Sequence, residues 1–113
     1  MSYPSPLMVS VEESGPTLHV RLAGELDLAA VPRVERALDR LLRAPILRRV
    51  ILDLRAVSFL DLAGLRTILR ADARGRAEAF EVVVVRPHGP ASRVFTLTRA
   101  GEQLRIVREP EAP

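Results

Sequence analysis

The chain has 113 residues and a mass of 12.5 kDa, the size of one compact domain. Hydrophobic residues make up 48% and charged residues 27%, which excludes a disordered or low-complexity chain. The formal net charge is +3 and all 17 basic residues are arginine, so the pI of about 10.8 reflects the high pKa of arginine more than a large charge excess.

Residues 1–7 are expected to form a flexible arm, because four of the first six are proline or serine. Met8-Val9-Ser10-Val11 predicts a short strand, and Ser14-Gly15-Pro16 a turn. Leu18, Val20 and Leu22 then alternate with His19 and Arg21, a period of two that predicts a half-buried strand hairpinned to the first. Gly24 is expected to end it. Val31, Val34, Leu38, Leu41 and Leu42 recur at helical spacing, with Pro32 in the first turn and Ala44-Pro45 as the stop.

Val50-Ile51-Leu52 is apolar on both pleat faces, which predicts a central strand covered on both sides. Phe59-Leu60 extends it, and Asp61 is a good N-cap for a helix running to about Ala77. Leu65, Ile68, Leu69 and Ala73 form its apolar stripe. Phe80 and Val82–Val85 predict a second buried strand. Pro90 should open a third helix through Val94, Phe95 and Leu97, with Gly101 as its C-cap. Leu104–Val107 predicts a last strand, and residues 109–113 a flexible tail. The order ββαβαβαβ implies one α/β domain over residues 8–108, with a mixed, mostly parallel sheet of about five strands.

Few residue patterns carry chemistry. There is no cysteine, so disulfides, thiolate catalysis and cysteine-ligated metal are excluded. The longest apolar runs, Leu28–Val31 and Val82–Val85, have four residues, whereas a membrane-spanning helix needs about 20. The N-terminus has neither the basic nor the apolar region of a signal peptide, so a cytoplasmic protein is expected. The arginines are spread along the chain and aromatics are 4%, so no nucleic-acid partner is expected. His19 and His88 stand alone in sequence and read as an outward strand residue and a loop residue. Gly89-Pro90 lacks the second glycine and the lysine of a phosphate-binding loop. No acid, base and nucleophile set can be assembled, and neither enzyme activity nor a metal or cofactor is expected.

The segment Phe59–Leu65 is more specific. It sets a capped helix N-terminus directly after a strand, where free N–H groups and the positive dipole end lie. Gly64 lacks a side chain, so a partner backbone could approach closely. Glu25 and Asp27 sit at the preceding strand end.

Gly24-Glu25-Leu26-Asp27-Leu28-Ala29, Leu52-Asp53-Leu54 and Phe59-Leu60-Asp61-Leu62-Ala63-Gly64-Leu65 together resemble the STAS domain of anti-sigma-factor antagonists. Val83–Pro87 and Arg93–Thr98 fit the same pattern. The resemblance implies a binding module that engages an anti-sigma factor of kinase fold and so frees a sigma factor. It also implies a phosphorylation switch: the kinase modifies a Ser or Thr at the start of the second long helix, and the added charge breaks the complex. In the family that stretch reads Asp-Ser-Ser-Gly-Leu or Asp-Thr/Ser-Ala-Gly-Leu; here it reads Asp61-Leu62-Ala63-Gly64-Leu65. Leu62, at the acceptor position, has no hydroxyl. The expected partner surface is Asp27, Ser58, Asp61, Leu62, Ala63, Gly64 and Leu65. Ser58 is the candidate substitute acceptor, and Thr67 a second nearby hydroxyl. The alternative implied by the resemblance is a degenerate scaffold, or an accessory subunit of a transport ATPase or a stress-sensing assembly.

Overall fold

The computed structural model describes residues 6–110. Residues 1–5 and 111–113, the ends of the expected arm and tail, lie outside the described residues. Leu7, assigned to the arm from sequence, is buried, and its carbonyl accepts a hydrogen bond from Arg33 Nη2 at 2.7 Å.

Five strands form one sheet: β1 (Met8–Ser14), β2 (Thr17–Leu26), β3 (Arg49–Leu60), β4 (Glu81–Val85) and β5 (Arg105–Val107). Their spatial order is their sequence order. β1 and β2 are antiparallel through a two-residue turn, Gly15-Pro16, with Gly15 at φ 56°. The other three pairings are parallel. Helix α1 (Val31–Leu41) crosses from β2 to β3, and α2 (Leu62–Glu78) from β3 to β4. A 3₁₀ turn (Gly89–Ser92), α3 (Arg93–Leu97) and α4 (Ala100–Gln103) connect β4 to β5.

The expected third helix is therefore broken. Thr98 is extended (φ −112°, ψ 169°). Its hydroxyl donates to the Val94 carbonyl at 2.6 Å and accepts from the Ala100 N–H at 3.4 Å. One side chain thus closes α3 and helps open α4, the local competition by which Thr interrupts helices. Gly101 lies inside α4 and is not a cap.

β3 is longer than its two apolar pieces imply. It runs unbroken over 12 residues and slips register against β2 twice, between Arg21/Ala23 and between Gly24/Glu25. Each slip gives β3 one extra residue, so Leu54, Val57 and Leu60 face the core three residues apart instead of two. Gly24, expected to end β2, instead sits within it at φ 107°, between the two slips.

Each crossover moves one strand further across the sheet in the same direction. The helices therefore share one face, and a single core results. Leu18, Val20 and Leu22 of β2, Val50, Leu52 and Leu54 of β3, and Val82 and Val84 of β4 join Val34 and Leu38 of α1, Leu65 and Ile68 of α2, and Phe95 of α3. β3 is covered on both sides, as expected, but by helices on one side only. The opposite face carries no helix. Ile51, Val83 and Val85 on that face are nonetheless buried, with Ile51 in a hollow walled by Arg21, Arg49, Arg55 and Pro110. Arginine stems shield apolar surface in this way while their guanidinium heads stay hydrated.

Asp53 anchors the helix-free face. It is 3% exposed. Arg55 grips it side-on, Nε to Oδ1 at 3.0 Å and Nη2 to Oδ2 at 2.7 Å, and the Arg55 backbone N–H adds a bond at 3.1 Å. His19, isolated in sequence, reaches Asp53 Oδ2 through Nε2 at 2.8 Å from the neighbouring strand. Burial alone would raise the carboxyl pKa. The Arg55 and His19 hydrogen bonds outweigh it and hold the pKa at about 2, below its ordinary 3.8. A depressed carboxyl pKa stabilises the fold above the unfolded value and loses that contribution as pH falls through the folded one. Asp53 therefore contributes fully at neutral pH and is lost between about pH 4 and pH 2. Asp53→Asn is expected to lower stability at pH 7 and to flatten the acid limb of stability across that window, measured by urea unfolding at a series of pH values.

Candidate functional site at the start of helix α2

The parallel strands β2, β3 and β4 all end at the same edge of the sheet, so the loops leaving them meet there. In parallel sheets this edge is the usual place for binding residues. Here it gathers the β2–α1 loop and the start of α2.

Asp61 ties the two together. It is the N-cap of α2, extended at φ −105° and ψ −178°. Its Oδ1 accepts the Gly64 N–H at 2.8 Å, as a helix cap does. Its Oδ2 accepts the Leu28 N–H at 3.0 Å, across 33 residues of sequence. The helix-start charge is thus met by the protein's own carboxylate. Asp27 orders the same loop: its Oδ1 accepts the Ala30 N–H at 3.0 Å and starts α1.

Gly64 has a structural task. A Cβ there would lie 2.2 Å from the Leu26 carbonyl oxygen and 2.9 Å from carbons of Leu26 and Leu60. The absent side chain lets α2 seat on the ends of β2 and β3. It does not open room for a partner backbone, as expected from sequence, because the chain's own Leu26 fills the space. Leu65, 4% exposed, is likewise core. Thr67 is 2% exposed and its hydroxyl donates to the Ala63 carbonyl at 3.3 Å, which withdraws it as an accessible acceptor. Ser58 is exposed near the end of β3, and Ala63 is half-buried.

Three large apolar side chains stand out around this cap. Leu62 is 60% exposed, Leu28 70% and Phe59 49%. Leu62 follows the cap, Leu28 is the residue that Asp61 holds by its N–H, and Phe59 pairs with Glu25 at the end of β3. Exposed apolar residues grouped on one edge mark a contact surface more than scattered ones do. Leu28 and Phe59 were missed from sequence. Leu28 belongs to an apolar run, and Phe59 points away from the buried Leu60 to the face of β3 that also carries Ile51 and Asp53. Among the described residues no group of three or more His, Asp or Glu side chains could hold a metal ion, and no helix is long and apolar enough to cross a membrane.

The geometry defines a small α/β module with exposed apolar side chains beside a self-capped helix start. The model of the STAS domain matches residues 8–111, and the chain belongs to that family. Its structure is similar to an anti-sigma factor antagonist from Mycobacterium paratuberculosis, with 26% identity and a TM-score of 0.79 over 96% of this chain and 92% of that one. An antisigma-factor antagonist STAS domain from Rhodobacter sphaeroides is 25% identical, with a TM-score of 0.62 over 72% of this chain and 87% of that one. The anti-sigma factor antagonist SpoIIAA in its unphosphorylated form shares the fold at 22% identity, with a TM-score of 0.74 over 90% of each chain. No curated protein matches the sequence.

Two substitutions test the joint. Gly64→Ala forces a Cβ against a backbone oxygen and should cost about 3 kcal/mol in denaturant unfolding. Asp61→Ala removes a cap and a loop anchor and should cost about 1–2 kcal/mol.

Proposed function

We propose that this protein is an anti-sigma-factor antagonist that docks a kinase-fold anti-sigma factor on the edge around Asp61, without phosphorylation at the usual position. The observation that carries the reading is the exposed apolar trio of Leu28, Phe59 and Leu62 around a rigid, self-capped helix start. The similarity to an anti-sigma factor antagonist at 26% identity supports the partner class.

In this reading Leu62 and Ala63 touch the partner, with Leu28 and Phe59 beside them. Asp27 and Ser58 flank the contact. Asp61, Gly64 and Leu65 act from beneath by fixing the backbone. A preformed surface of this kind loses little conformational entropy on binding. Where a relative carries a hydroxyl, this chain places an isobutyl group, so the position contributes apolar contact and offers no site for a phosphate. The complex then responds to the amount of each partner and not to a charge added at this point. The module acts by binding, in the cytoplasm, and regulates transcription through the sigma factor it releases.

Capture from the lysate of the source cells tests this. Wild-type bait should enrich a kinase-fold anti-sigma factor. Leu62→Glu, which puts a charge at the centre of the contact, should weaken the purified pair on the order of tenfold. An unchanged affinity would move the interface elsewhere. Incubation of the protein with that kinase and ATP should leave its intact mass unchanged; a gain of one phosphate, mapped by fragmentation, would identify Ser58 or another hydroxyl as acceptor.

A further inference from the structure

We infer that the helix-free face carries a second docking surface, around His88, for an extended acidic segment of a partner protein, and that the chain's own Arg108–Pro110 occupies it in the free protein. His88 is shared by two adjoining hollows. One, of about 410 Å³, is walled by Arg21, Arg55 and Ala56. The other, of about 510 Å³, is walled by Arg86, Arg108 and Glu109. Four arginines thus line the two hollows that meet at His88, with Arg55 held on Asp53 and Arg86 donating Nη2 to the Thr96 hydroxyl at 3.1 Å.

Among the described residues three carboxylates lie beside them: Asp53, Glu12 and Glu109. Asp53 is already consumed by Arg55 and His19, and Arg21 stands 3.9 Å away from it. Arg21 also lies 3.6 Å from Glu12, but both side chains are at least half exposed, and such a pair is weak. The remaining acid is Glu109. The groove between α1 and α2 shows the contrast: there Arg70 pairs with Glu35, and Arg74 with Asp39 and Glu78. Arg70 and Arg74 are thus each matched by an acid, whereas the four arginines around His88 meet one buried acid, Asp53, and two exposed ones, Glu12 and Glu109.

The C-terminal segment shows what such a surface takes. β5 ends at Val107, whose carbonyl accepts the Arg86 N–H at 2.8 Å. The chain then turns over the sheet. Glu109 lies in the hollow beside His88, and its charge raises the Arg55 pKa, secondary to the Asp53 bond. Pro110 enters the next hollow along the same face, with Arg21 and Arg55. A carboxylate on an extended, proline-containing chain is thus the occupant already present. Its hold is slight, since Glu109 and Arg108 are both exposed. The guanidiniums are spread over adjoining hollows and do not converge on one point, which suits a row of carboxylates better than a single small anion.

The test is a titration of the ¹⁵N-labelled full chain with a hexaglutamate peptide, followed by NMR. Amide and side-chain signals of Arg21, Arg55, His88 and Arg108 should shift together. Glu109→Gln removes the internal competitor and should tighten binding about threefold, whereas Arg21→Gln and Arg108→Gln should each weaken it about threefold. Spectra of the unbound variants report whether the fold is kept; all three positions are exposed. Three results would overturn the inference: no shifts, shifts confined to Asp61–Gly64, or an affinity that Glu109→Gln leaves unchanged. Equal competition by inorganic phosphate would also overturn it, by making this a small-anion site.

Discussion

A single carboxylate holds the contact edge together. Asp61 spends one oxygen on the first turn of α2 and the other on the backbone of Leu28. The second bond adds to the Asp61 N–H···Leu26 carbonyl contact in joining the β2–α1 loop to the helix start. Without Gly64 the helix could not seat on Leu26. The cap, the glycine and the loop bond are one mechanical unit, and the exposed positions of Leu28 and Leu62 follow from it. The exposed apolar side chains at this joint are the surface the proposed docking would cover.

The sheet has two different faces because its crossovers all turn the same way. One face receives every helix and supplies the whole apolar core. A mostly parallel sheet left bare on its second face is uncommon, since βαβ units usually cover both. Here the second face is managed with charge. Asp53 is buried and gripped by Arg55 and His19, arginine stems lie over Ile51, and the segment after β5 folds back across it. The same face is therefore both shielded and charged, unlike the apolar edge around Asp61.

Leucine at position 62 changes the character of the contact edge more than its shape. The cap, the glycine beneath it and the loop anchor are independent of that side chain. A hydroxyl there would make the edge a site for covalent charge. An isobutyl group makes it permanently apolar.

The sequence alone determined the element order, the antiparallel hairpin, the long helix beginning at Asp61 and the family resemblance. These rest on local signals: alternation in Leu18–Leu22, helical spacing in Val31–Leu42, and a cap residue before an apolar helix. Those signals act over a few residues and do not need the rest of the chain. The tertiary structure decided what depends on distant pairing. It joined His19 to Asp53 across 34 residues and Asp61 to Leu28 across 33. It slipped β3 twice against β2, which turned Val57 into the core between Leu54 and Leu60. It filled the space at Gly64 with Leu26, and it stacked all the helices on one face. The reason is physical. Strand register and crossover direction set which side chains meet, and neither leaves a periodic trace in the residues themselves.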